Sequence, residues 1–152
     1  MDIEETVRIK GEQAENNFRN GKSCAQAVLL AFKEESGLDE QTLLKLGAPF
    51  GGGMGRMRHV CGAVAAAFML SGIIKSDGSK ENRERDYELV RSMAQDCIEE
   101  NGSIICAELL KGIKYTGGAK PEHRDEEYYK RRPCPALCRS VAQIAARRLL
   151  GE

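Results

Sequence analysis

Between Cys61 and Ile74 the chain reads CGAVAAAFMLSGII, a run apolar on nearly all sides and built largely from alanine and glycine. A helix with that surface has to be enclosed by other helices, and its small side chains let neighbouring backbones approach closely. The apolar stretch from Val60 to Ile74 covers fifteen positions and contains Gly62, Ser71 and Gly72, which is short for a membrane span. A buried central helix is therefore the first expectation, and the rest of the chain has to supply what surrounds it.

The remaining segments meet that demand. Apolar residues recur mostly at helical spacing, few segments alternate with a period of two, and Ala, Leu, Glu, Arg and Lys are plentiful. The expected fold is all-α, a single-domain bundle of five or six helices over residues 1–152. One helix runs from about Ile3 to Phe18. A second starts after the N-cap Ser23 and carries CAQAVLLAFKEE to Gly37. Asp39 caps the short EQTLLKL, an amphipathic helix covers about Lys80 to Asn101, and Ser103 caps SIICAELLKG. The segment from Ile113 to Arg132, rich in charge and carrying Pro121, reads as a surface loop or lid. Pro133 suits the first turn of the last helix, CPALCRSVAQIAARRLL. A chain of 152 residues can bury a core without disulfide support.

Charge narrows the partners. Lys plus Arg and Asp plus Glu both number 23, which argues against a dedicated nucleic-acid or membrane-surface binder. From Lys111 onward there are ten basic and five acidic residues; KRRPC reads as a solvated loop there, with anion attraction as its second use. The opening MDIEETVRIK is charged at once and lacks a signal-peptide core, so a cytoplasmic location is the default expectation. In such a reducing compartment, six cysteines are more often ligands or redox groups than bridges.

Four of those cysteines fall in the first turn of an expected helix: Cys24, Cys61, Cys106 and Cys134. Unpaired N–H groups and the positive end of the helix dipole favour an anion there, so a thiolate is expected to be stabilised and its pKa lowered. Ahead of Cys61 lies FGGGMGRMRH, in which Arg56, Arg58 and His59 would favour a thiolate further. Gly51, Gly52 and Gly53 let the main chain come close to a sulfur, a cluster or an anionic substrate. The loop is weak as a nucleotide motif, because no G-K-[ST] follows it. Cys97, on a stripe with Val90, Met93 and Ala94, reads as a core residue. Cys138, one turn after Cys134 within the apolar series Leu137, Val141 and Ile144, reads equally as core or as a resolving thiol. His123 sits in the charged lid with little to recommend it as a ligand. No C-x-x-C pair occurs, so any joint site must be assembled by long-range folding.

SCAQAVLLAF, FGGGMGR, CGAVAA, SIICAELL and CPALCRSVAQIA together resemble the small redox proteins named for a C_GCAxxG_C_C pattern, over about Gly21 to Leu150. The pattern's cysteines fall on Cys24, Cys61, Cys106 and Cys134, while its last glycine is here Ala66. The resemblance implies a chemistry class, with an oxidoreductase as the enzyme class it allows, and no substrate.

The four cysteines are thus candidate catalytic residues and metal ligands alike. Converged, they would hold an iron-sulfur cluster or another thiophilic metal for electron transfer or redox sensing, with Gly51, Gly52, Gly53, Arg56, Arg58 and His59 beside it. In thiol-disulfide exchange the same cysteines would cycle, with Cys61 as the attacking thiolate. A helical interaction module with merely packing cysteines is the third reading. A redox partner is implied but not identified, and the small residues of the central helix suit either a homo-oligomer or close packing within one chain.

Overall fold

The computed structural model describes residues 1–151 and is all-α. Six helices have eight or more residues: α1 (Ile3–Arg19), α2 (Cys24–Ala31), α4 (Glu40–Gly47), α5 (Gly62–Lys75), α6 (Arg83–Asn101) and α9 (Cys134–Leu150). Three are short: α7 (Cys106–Leu109) falls within the expected SIICAELLKG, while α3 (Lys33–Ser36) and α8 (Glu126–Arg131) are additional. No helix among the described residues is long and apolar enough to cross a membrane.

Caps and periodicity explain the long helices. The Asp2 carboxylate accepts the Glu5 N–H at 2.8 Å and starts α1, whose buried positions Val7, Lys10, Gly11, Ala14 and Phe18 recur at three- and four-residue steps. That stripe lies along α9 and α2. α5 buries Gly62, Ala63, Val64, Ala66, Ala67, Leu70 and Ser71 against α2, α9 and α6. Its far end emerges at Gly72 and Ile73. A Cβ on Gly62 would lie 2.6 Å from the Phe50 carbonyl oxygen, so only glycine allows that close approach. Ala66 is fully enclosed in the same core.

Three local expectations are corrected. The helix from Cys24 does not run unbroken to Gly37: α2 ends at Ala31, the backbone of Phe32 leaves the helical region, and α3 resumes for one turn. Phe32 is wholly buried there, and Lys10 reaches across to donate to the Ala31 carbonyl at 2.9 Å and to Glu35 at 2.8 Å. Ser103 does not cap a helix. Its hydroxyl accepts the Ile105 N–H at 2.9 Å in a turn, because residues 104–107 run alongside residues 58–60 and postpone the helix to Cys106. The loop expected over 113–132 contains α8, capped by Asp125, which accepts the Tyr128 N–H at 2.8 Å. Its dense charge conceals a short helix anchored by one buried tyrosine.

Candidate functional site

The glycine loop is a left-handed coil. Gly52, Gly53, Met54, Gly55, Arg56 and Arg58 all have positive φ, with values of 69, 63 and 63° at the three residues that are not glycine. Left-handed backbone is strained for such residues and persists where surrounding structure enforces it, commonly at functional sites. The enforcement here is a series of turns: Arg56, Arg58 and His59 N–H groups donate to Gly51, Gly52 and Gly53 carbonyls at 3.0, 3.2 and 2.9 Å.

The coil then delivers two cysteines together. Cys61 N–H donates to the Ile104 carbonyl at 2.8 Å, and Cys106 N–H donates to the His59 carbonyl at 2.6 Å, across an antiparallel bridge joining Val60 and Ile105. Cys61 is the N-cap of α5, and Cys106 opens α7. Gly53 packs directly on Cys106, since a Cβ there would lie 2.6 Å from the cysteine's own Cβ. Arg58 donates to the Cys106 sulfur at 3.6 Å.

Two other helix starts complete the set. Ser23 and Gln26 form a reciprocal capping box that fixes Cys24 as the first residue of α2, while Pro133 precedes Cys134 as the first residue of α9. The Cys24 thiol lies close enough to both Cys134 and Cys138 for each to perturb its ionisation. Cys24, Cys61, Cys106 and Cys134 all line one cavity of about 340 Å³. Gly51, Gly52, Gly53, Arg56 and Arg58 line it too, whereas His59 does not and its side chain is exposed. Cys97 stands apart in the core beneath α6.

Burial reverses the expected direction of the thiol pKa values. Cys61 is pushed up to about 12 by desolvation, which outweighs hydrogen bonds from the Val64 and Ala63 N–H groups at the helix start. At Cys24 the hydrogen bond with Cys134 pulls downward, but the bond with Cys138, burial and the neighbouring thiols carry it well above the usual thiol range. Cys134 is raised by its hydrogen bond with Cys24 and by burial, against the pull of Arg132. Cys138 is also raised, as desolvation and nearby thiols overcome its bond with Cys24. At neutral pH these four are neutral thiols, ready to release protons to a thiophilic ligand but poor free nucleophiles.

The wall facing the thiols comes from the lid. Arg56 donates to the carbonyls of Thr116 and Gly118 at 2.9 and 2.8 Å and to that of Lys120, tying the segment to the glycine loop. Glu122 meets Arg56 at 3.5 Å, Arg58 at 3.7 Å and Arg132 in a closer pair. Desolvation opposes the Glu122 charge, yet the Arg132 hydrogen bond and nearby guanidiniums hold its pKa below the usual value. Arg124 and Tyr128 close the cavity beside Cys134, and desolvation, with Cys134 next, pushes Tyr128 up to about 12. Sequence reasoning missed Arg124, Tyr128, Glu122 and Arg132. The KRRPC signal did contain Arg132, but its side chain is only 4% exposed, so it is no solvated loop residue.

A family model described as "Putative redox-active protein (C_GCAxxG_C_C)" matches residues 22–148. No curated protein and no solved structure matches the chain.

Proposed function

The chain belongs to the C_GCAxxG_C_C family of redox-active proteins, and from that premise we propose that Cys24, Cys61, Cys106 and Cys134 ligate an iron-sulfur cluster for electron transfer or redox sensing. The observation that carries this reading is the convergence of four thiols from four separate helix starts on the wall of one cavity. Among the described residues, no group of three or more His, Cys, Asp or Glu is placed to hold a single metal ion. An iron-sulfur cluster takes four thiolate ligands, the number of cysteines that line the cavity. When bound, the cluster would supply one-electron chemistry.

The chain's own contribution is to hold and tune. Each thiol loses its proton on ligation, and the helix-start N–H groups at Cys61 then face a charged sulfur instead of a neutral one. Arg58 beside Cys106 and Arg132 beside Cys134 offset the negative charge that four thiolates bring into a buried place. A reducing cytoplasm is the compartment that suits six free cysteines.

A second reading has its own observation. The nearness of Cys24 to Cys134 and Cys138 suits dithiol-disulfide exchange, in which two thiols give up two protons and two electrons to an oxidant and become one disulfide. It moves the exchanging pair from the expected Cys61 to Cys24 and a partner on α9. Anaerobic purification followed by a visible spectrum, iron and sulfide analysis and thiol counting separates the two. Stoichiometric iron and sulfide, lost in Cys61→Ser, supports the cluster. Colourless protein that reversibly loses two thiols supports exchange, and six inert thiols without metal would refute both.

A further inference from the structure

We propose that the cavity binds a small oxyanion or carboxylate beside the thiols, on Arg58 and Arg132, at a place the lid carboxylate Glu122 fills in its absence. Binding of the anion stands on the arginines alone; its role as the molecule oxidised or reduced here rests on the redox reading above.

Three guanidinium groups meet one carboxylate in this corner. The side chains of Arg56, Arg58 and Arg132 are 11, 12 and 4% exposed, and that of Glu122 is 18% exposed. Buried charge of one sign is costly until it is paired, and a single carboxylate leaves two of three cations unmatched. The hydrogen bonding is also incomplete. Arg58 Nε is the buried side-chain donor left without a partner among the described residues, and it belongs to a side chain that lines the cavity. Native structures leave few such donors unsatisfied, and an acceptor supplied from outside would complete it.

Chemistry and architecture then select the ligand. Guanidinium forks match planar carboxylates and tetrahedral oxyanions, and they exclude cations. A cavity of about 340 Å³ is at the lower end of small-molecule sites, so the anion is small. Glu122 comes from the segment that Arg56 ties down through main-chain carbonyls, and that segment holds its carboxylate against the arginines. It occupies the arginines as an internal stand-in.

The test uses the full chain, reduced, with inorganic sulfate as the probe in isothermal titration against sodium chloride of equal ionic strength. Wild type should bind one sulfate. Glu122→Gln, which removes the competing charge but keeps the shape, should bind it about tenfold more tightly, and Arg58→Lys, which keeps the charge but loses the fork and Nε, about tenfold more weakly. Sulfate heats no different from chloride in both wild type and Glu122→Gln would overturn the proposal, and that comparison stands even if Arg58→Lys fails to fold. Iron and sulfide measured on the same preparations separate the two readings. Sulfate binding without a cluster sinks only the cluster, and a cluster without sulfate binding in either protein sinks only the anion site.

Discussion

Replacing Gly53 with alanine tests whether the left-handed coil is what holds Cys106 in the site. Two terms enter. At φ +71° an alanine is strained by roughly 1–2 kcal/mol. Its Cβ would also lie 2.6 Å from Cys106 Cβ and 2.9 Å from Arg58 Cα and the His59 nitrogen, main-chain atoms that cannot simply rotate away. Overpacking of that kind adds about 1–3 kcal/mol. Gly37 isolates the first term, since its φ is also +71° and an added Cβ there meets nothing within 4 Å. Gly53→Ala should therefore destabilise the protein by about 1–3 kcal/mol more than Gly37→Ala. At roughly 2–4 °C per kcal/mol for a chain of this size, the gap is about 2–12 °C in Tm. Urea and thermal unfolding followed by far-ultraviolet circular dichroism would measure it, with alkylation of the native protein reporting release of Cys106. Equal losses in the two variants, with Cys106 no more reactive, would refute the claim that close packing of coil on cysteine organises the site.

Further outcomes follow from the same geometry. Metal-free protein should lose stability as pH rises from about 9 towards 12, because the unfolded Cys61 thiol ionises near 9.0 while the folded one holds its proton until about 12. Urea midpoints at pH 8 and pH 10 should show that fall, and Cys61→Ala should flatten it; an unchanged slope would contradict the role of burial. Arg56→Ala removes the tie to Thr116, Gly118 and Lys120, so hydrogen exchange over residues 113–125 should rise while α1 and α9 stay protected. Lys10→Ala leaves Glu35 without its partner between α1 and α3 and should cost about 3 kcal/mol in urea unfolding. A loss below about 1 kcal/mol, the range of surface pairs, would show that water compensates the pair.

The elements were readable where a local rule decides them. Ser23 and Asp39 each cap the helix their side chain announces, and Ser23 and Pro133 mark where the helices of Cys24 and Cys134 begin. What failed was set by contacts between distant segments. The pairing of residues 58–60 with 104–107 overrode Ser103, and no local propensity reports it. Thiol ionisation was read from the helix dipole, a local effect, while desolvation at Cys61 depends on everything packed around α5. Cys138 was left between two roles because the same helix face that buries it also carries it to Cys24, which comes from more than a hundred residues upstream. Glu122 and Arg132 looked like solvated charges, and only their mutual pairing turns them inward.

The four cavity cysteines come from α2, α5, α7 and α9, each separated by tens of residues and each fixed by a different neighbour. Contacts of such sequence separation form late, after the intervening loops have closed. A nascent chain therefore offers at most scattered thiols, and the complete set exists only once α9 has docked along α1 and beside α5. Acquisition of whatever the cavity holds would then be confined to finished molecules, making occupancy a certificate of correct folding and sparing immature chains a ligand they could only misplace.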